Sequence, residues 1–120
     1  IGLWPTSAPD PLGRYLASLD ALAGLDVQLA LPGHRHAIHD WPGRIAELQQ
    51  HHAERLATMA ESADGATAFQ VMERAFPAGL LSEHELRFAL AETLAHLEHL
   101  VIRRQLNYDD GGVRVYHRRE

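Results

Sequence analysis

The chain has 120 residues, 46% of them apolar, with 16 acidic and 11 basic side chains and a formal net charge of −5. That length fits one domain or two small pieces, the apolar share suffices for a core, and no apolar run approaches the 18 residues of a membrane span. The acidic balance makes non-specific nucleic-acid binding a poor default, and the absence of cysteine excludes disulfides and thiolate metal sites and fits a cytoplasmic protein. Every basic residue is arginine, and nine histidines are many for this length.

Ile1-Gly2-Leu3-Trp4-Pro5 has neither an initiator Met nor the basic start of a signal peptide, so the chain reads as a fragment cut from something longer. Asp10-Pro11 is a helix start, with Asp as N-cap and Pro in the first turn. Leu12, Tyr15, Leu16, Leu19 and Leu22 then recur at helical spacing, and Gly24 suits the position just past the end, which predicts a helix over 11–23. Val27 to Leu31 is short, apolar and follows a tight turn, which predicts a buried strand. Pro32, Gly33, Pro42 and Gly43 make 32–43 a loop carrying His34, His36 and His39.

From Arg44 to Ser62, Ile45, Leu48, His52, Leu56 and Met59 line one face of a long helix, which Asp64-Gly65 ends. Thr67-Ala68-Phe69-Gln70 is a capping box opening a helix over 67–76, stopped by Pro77. Ser82-Glu83-His84-Glu85 is another and opens a helix over 83–101, with Leu86, Leu90, Leu94, Leu97 and Val101 as its apolar stripe. The stretch 102–117 reads as a β-hairpin turning at Asp109-Asp110-Gly111-Gly112. The expected fold is therefore mainly α with a small β hairpin, an α+β class. A winged-helix-like domain over 44–120 follows a helix–strand piece over 1–43, the boundary falling at Pro42-Gly43.

Three stretches carry a family resemblance: Asp10-Pro11-Leu12-Gly13-Arg14-Tyr15-Leu16-Ala17-Ser18-Leu19; Leu31-Pro32-Gly33-His34 with Arg44-Ile45 and His51-His52-Ala53-Glu54-Arg55-Leu56; and Ala91-Glu92-Thr93-Leu94-Ala95-His96-Leu97-Glu98-His99-Leu100. Together they resemble the C-terminal part of metallo-β-lactamase-fold hydrolases, in the lactamase-β-2-like group related to glyoxalase II that carries a C-terminal winged helix. The resemblance implies that residues 1–43 are the end of an αββα core and that the whole protein is a hydrolase with two metal ions, usually zinc. Substrates in such families include thioesters, esters and RNA phosphodiesters. Of the family's ligands only the last histidine has a counterpart, His34. The His-x-His-x-Asp-His motif is absent, and the bridging Asp would fall upstream of Ile1. The family's usual glycine after that histidine is Arg35, and the glycine that often ends the third winged helix is Arg104. Held in a left-handed conformation, Arg104 would carry about 1 kcal/mol of strain.

A dinuclear hydrolase needs six or seven ligands from several loops to hold its metals and generate hydroxide. One histidine cannot do this, so the segment alone is expected to be inactive, to hold no tightly bound zinc and to shape the substrate cleft of the larger protein. Arg35, His36 and His52 are the candidate cleft or rim residues, although His52 on the apolar stripe also reads as packing. His96 and His99 share a helix face without a third ligand. Arg103, Arg104 and Arg114 are candidate nucleic-acid contacts in a hairpin region where five arginines face Asp109, Asp110 and Glu120. Glu83, Glu85, Glu92 and Glu98 on the third helix make duplex DNA a poor partner. The expected partners are the missing N-terminal core, a small-molecule or RNA substrate, and a second copy through the exposed face of 11–31, with no membrane. The competing reading is a stand-alone winged-helix module that binds nucleic acid or protein.

Overall fold

The computed structural model describes residues 1–119, with the backbone alone at Ala78; Glu120, counted in the hairpin's charge, lies outside them. Four helices form: α1 Pro11–Ala23, α2 Trp41–Ser62, α3 Ala68–Ala75 and α4 Glu83–Ile102. A short 3-10 turn at Ala78–Leu80 joins α3 to α4. Three short strands, β1 Ala66–Thr67, β2 Leu106–Asp109 and β3 Val115–Arg118, pair antiparallel in the order β1-β3-β2. This is the mainly helical α+β class expected.

Both capping boxes are present: Thr67 with Gln70 at the start of α3, and Ser82 with Glu85 at the start of α4. Each satisfies two backbone N–H groups that a helix start otherwise leaves without partners. Asp10 caps α1 by accepting from the Gly13 N–H at 3.0 Å, in the left-handed conformation (φ 51) that Asp tolerates better than most residues. Gly24 takes φ −79, so it ends α1 in right-handed backbone and any residue would suit it there.

Two boundaries and one strand are corrected. Helix α2 starts at Trp41, three residues before the expected 44, because Asp40 accepts from the Gly43 N–H at 3.1 Å and Pro42 is tolerated in a first turn. The expected boundary at Pro42-Gly43 therefore lies inside a helix. Ile102 belongs to α4, and the hairpin strands begin at Leu106. The buried strand expected over 27–31 does not form: Ala30 and Ile38 make one isolated antiparallel bridge, while Leu29 and Leu31 are 50% and 79% exposed. A strand needs a partner along its length, and no described residues lie alongside 27–29 to supply one. Segment 66–67 was not foreseen as a strand; two residues are too few to show alternation.

The apolar core gathers Met59, Ala63, Ala66, Val71, Leu97, Leu100, Leu106 and Tyr116, so α2, α3, α4 and the sheet close on one another. Helix α4 runs through the centre, burying Ala89, Ala91, Thr93, Ala95, His96, Leu97 and Leu100. Those residues lie all round the helix, and Leu90 and Leu94 of the expected stripe are only half-buried. Helix α1 packs on α2 and α4. The radius of gyration, 15.9 Å, exceeds the roughly 14 Å of a compact domain this long, which fits the exposed excursion over 24–40.

Candidate functional site

His34 sits on the tip of a loop pinched at its base. Ala30 N–H donates to the Ile38 carbonyl at 2.9 Å and Ile38 N–H to the Ala30 carbonyl at 2.8 Å. Everything between, 31–37, is exposed, His34, Arg35 and His36 included. Arg35 takes φ 69, so the position where the resemblance expects glycine is indeed left-handed. Among the described residues no three His, Cys, Asp or Glu side chains come together to hold a metal ion, so His36 and His39 do not complete a site around His34.

His52 is buried at the junction of α1, α2 and α4. It is 5% exposed, and its ring packs edge-on to Tyr15 (5.3 Å between centroids) and His51 (5.2 Å) and tilted against His96 (5.6 Å). The α2 stripe puts it there, at the junction of α1, α2 and α4. His96 is fully buried, and its Nδ1–H donates to the Glu92 carbonyl at 2.8 Å, which leaves Nε2 as the lone-pair nitrogen. That Nε2, His52 Nδ1 and Arg55 Nη1 are buried without a hydrogen-bond partner among the described residues. Burial, then the His96 and His51 rings, push His52 down from 6.5 to about 4. Burial likewise lowers His96, with the Arg55 guanidinium adding to it. Both rings are thus neutral at pH 7 and join helices rather than carry charge.

Helix α4 also grips the start of α1. Glu98 Oε2 accepts from the Asp10 N–H at 2.8 Å, and His99 Nδ1 lies 3.1 Å from Asp10 Oδ1. His96 and His99, one helical turn apart, therefore serve different neighbours and do not share a ligand. Sequence reasoning missed this clamp because Asp10 already had a local role as cap. Further up α4, the Ala91 carbonyl accepts from Leu3 N–H at 2.9 Å. A Cβ on Gly2 would come within 2.9 Å of Trp4 Nε1 and 3.1 Å of the Ala91 Cβ, so glycine allows this close approach. A hollow of about 460 Å³ opens there, lined by Trp4, Phe76, Leu81, Phe88 and Glu92 among others.

The three candidate arginines separate. Arg103 and Arg104 end α4, Arg104 at φ 61, the left-handed value expected at that position. Arg114 lies at the far end of the hairpin, its guanidinium 3.8 Å over the Tyr108 ring. The register pairs Leu106 with Arg118, and Arg119 N–H donates to the Gln105 carbonyl at 3.1 Å. Arg118 and Arg119 therefore join Arg103 and Arg104 at one end of the sheet. Correct strand limits in the sequence would have shown this.

A family model described as the C-terminal domain of metallo-beta-lactamase-like proteins matches residues 54–119. The chain belongs to this family. A solved metallo-beta-lactamase family protein from Thermus thermophilus superposes with a TM-score of 0.87 and 38% identity, and a beta-lactamase domain protein from Burkholderia ambifaria with 0.89 and 30%. Both alignments cover 99% of this chain and 37% of the other, so the chain spans little more than a third of these relatives' length. No curated protein matches it. No helix of the described residues is long and apolar enough to cross a membrane.

Proposed function

We propose that the chain is the C-terminal part of a metal-dependent hydrolase with a two-zinc centre, to which His34 contributes one imidazole. The observation that supports this most is the pairing of family membership with coverage: metallo-β-lactamase-family relatives match nearly all of this chain with nearly two-thirds of their own length left over. The loop supports this reading, with an exposed imidazole between two backbone hydrogen bonds at its base. Leu25, Leu29 and Leu31, exposed by 50% or more, form the face that the rest of the core would cover.

A zinc pair supplies hydroxide at neutral pH and polarises the scissile group. Within this chain, His34 would hold one zinc through an imidazole lone pair, on a loop whose next residue, Arg35, is left-handed. Helices α1 and α4, locked through Asp10, set the wall that closes over the cleft, where a thioester, ester or RNA phosphodiester is the substrate class. The remaining ligands come from outside residues 1–119, so the 120 residues alone are inactive. Without their cover they self-associate through the 25–31 face, and a clean monomer in gel filtration would contradict that.

The test is His34→Ala in the whole protein. Elemental analysis should show zinc falling from two ions to one or fewer per chain, with hydrolysis down by at least about 10²-fold. His34 is exposed, so the melting temperature of the metal-free protein should stay put. Retention of both zinc ions and full turnover would end this reading.

A further inference from the structure

We propose that the hollow between the N-terminal segment and α4 binds a small molecule through a quaternary ammonium group. The side chains of Trp4, Phe76 and Phe88 line that hollow, whose volume of about 460 Å³ falls within the roughly 300–1,000 Å³ of small-molecule sites. Trp4 and Phe88 lie 5.7 Å apart with their planes at 84°, so two rings meet at a corner. They are 37% and 55% exposed, aromatic surface that the described residues leave uncovered. Phe76 adds a third ring, and the Arg55 guanidinium 4.5 Å over it shows that ring already taking a cation on one face. Ring faces attract cations through their quadrupole, and several rings around one hollow are how methylated ammonium groups are held. The Trp4 side of the corner is fixed in advance. Trp4 N–H donates to Ser7 Oγ at 2.9 Å, Leu3 N–H donates to the Ala91 carbonyl at 2.9 Å, and Gly2 leaves room for the indole.

The second observation is charge. Glu85 and Glu92 are the charged side chains lining the hollow, and neither makes an ion pair among the described residues. The Ser82 N–H donates to Glu85 Oε1 at 3.1 Å, and hydrogen bonding with Ser82 holds the Glu85 carboxyl below its ordinary value, so it is ionised at pH 7. An anionic ligand would meet two carboxylates, and a neutral apolar one would leave them unused. A metal ion would leave the rings idle, and the described residues bring no three ligating side chains together. A primary ammonium is compact, strongly hydrated and carries three donors that need acceptors, whereas a methylated nitrogen keeps its charge and turns carbon toward the ring faces. Ile1 also lines the hollow. With the chain continuing upstream, as proposed above, its nitrogen is an uncharged amide, so this inference rests on that reading.

The experiment is a titration of the whole protein with choline, followed by calorimetry. Choline should bind saturably, and its uncharged isostere, with carbon in place of the nitrogen, should bind at least about 10-fold more weakly. Trp4→Leu should weaken choline binding by roughly 5-fold to 30-fold and Phe88→Leu by roughly 2-fold to 5-fold, since leucine keeps apolar bulk and loses the ring face. Both positions are exposed, and far-ultraviolet circular dichroism checks that each variant is folded. Glu92→Gln should weaken binding by roughly 2-fold to 5-fold, more at low salt than at high. His34→Ala should leave choline binding unchanged whether or not zinc is lost, so the metal reading and this one fail separately. No saturable binding of choline, an isostere that binds as well, or affinities unmoved by Trp4→Leu and Phe88→Leu would overturn the proposal. So would a trimethyl-lysine peptide binding more tightly than choline, which would reassign the hollow to a methylated protein segment.

Discussion

The buried His52–His96 contact makes stability depend on pH in a way that one substitution should remove. His52 titrates at about 4 in the folded chain against 6.5 in an ordinary environment, because burial and the His96 and His51 rings disfavour its charged form. In the unfolded chain the ring recovers its ordinary value, so as pH falls through 6.5 the unfolded state takes up a proton that the folded state refuses. Stability is therefore full above 6.5, declines as pH falls toward 4, and gains no further penalty from this group below that. A shift of that size has a ceiling of about 3 kcal/mol. Water reaches the ring's neighbour His51, which is exposed, and screening brings the expected loss to about 1.5–2 kcal/mol. Urea unfolding of wild type and His52→Gln, followed by far-ultraviolet circular dichroism at pH 7 and pH 4, isolates the effect, since carboxylate contributions are common to both. Wild type should lose about 1.5–2 kcal/mol more than the variant over that interval. Parallel pH curves for the two proteins, or a His52 ring-proton NMR titration centred at or above 6.5, would refute the reasoning.

Two further changes probe the backbone and the clamp. Arg104→Gly and Arg35→Gly each relieve about 1–2 kcal/mol of left-handed strain at φ 61 and φ 69 while adding about 0.5–1 kcal/mol of unfolded-state entropy. A net gain of about 0.5 kcal/mol should raise the melting temperature by about 2 °C each in calorimetry. Asp10→Ala removes the cap to Gly13 and the contact to His99 and places Ala at φ 51, so it should cost about 1–3 kcal/mol in urea unfolding. Asp10→Asn keeps the cap and tolerates that backbone, and should cost no more than about 1 kcal/mol; equal stabilities for the two variants would mean the side-chain cap to Gly13 contributes nothing.

Legibility in the sequence followed how local the determining interaction was. The capping boxes at Thr67 and Ser82 and the Asp10-Pro11 start depend on residues three or four apart, and all three form. The 27–31 stretch has the composition of a buried strand, but strand formation is decided by a neighbour, and among the described residues only Ile38 bridges to it. The α4 stripe misled for the opposite reason. A helix covered on most sides has no single apolar face, and its buried positions went to small or polar residues: Ala89, Ala91, Thr93, Ala95 and His96. Of the candidate site, positive φ at Arg35 and Arg104 was legible only through the resemblance, which marked both as glycine positions. The pairing of His52 with His96 was not, since nothing in either helix alone says that the two rings meet.

The centrality of α4 explains how one chain can hold together a loop at one end and an arginine cluster at the other. Its Ala91 carbonyl holds the N-terminal segment, His96 meets α2, Glu98 and His99 hold the cap of α1, and Leu100 reaches the sheet core. Small residues at 89, 91, 93 and 95 let those neighbours approach closely, while the first turns of α4, Phe88 included, stay exposed. Exposed regions flank the body that α4 holds together. Two such regions are the pinched loop bearing His34 and the sheet end bearing Arg103, Arg104, Arg118 and Arg119. Loop 31–37 is exposed and tied by a single bridge, as suits a segment positioned by a body packed over it. The arginine end is tied by continuous strand pairing and needs no such body. The two therefore differ in how they are held: loop 31–37 by one bridge at its base, the arginine-bearing end by paired strands.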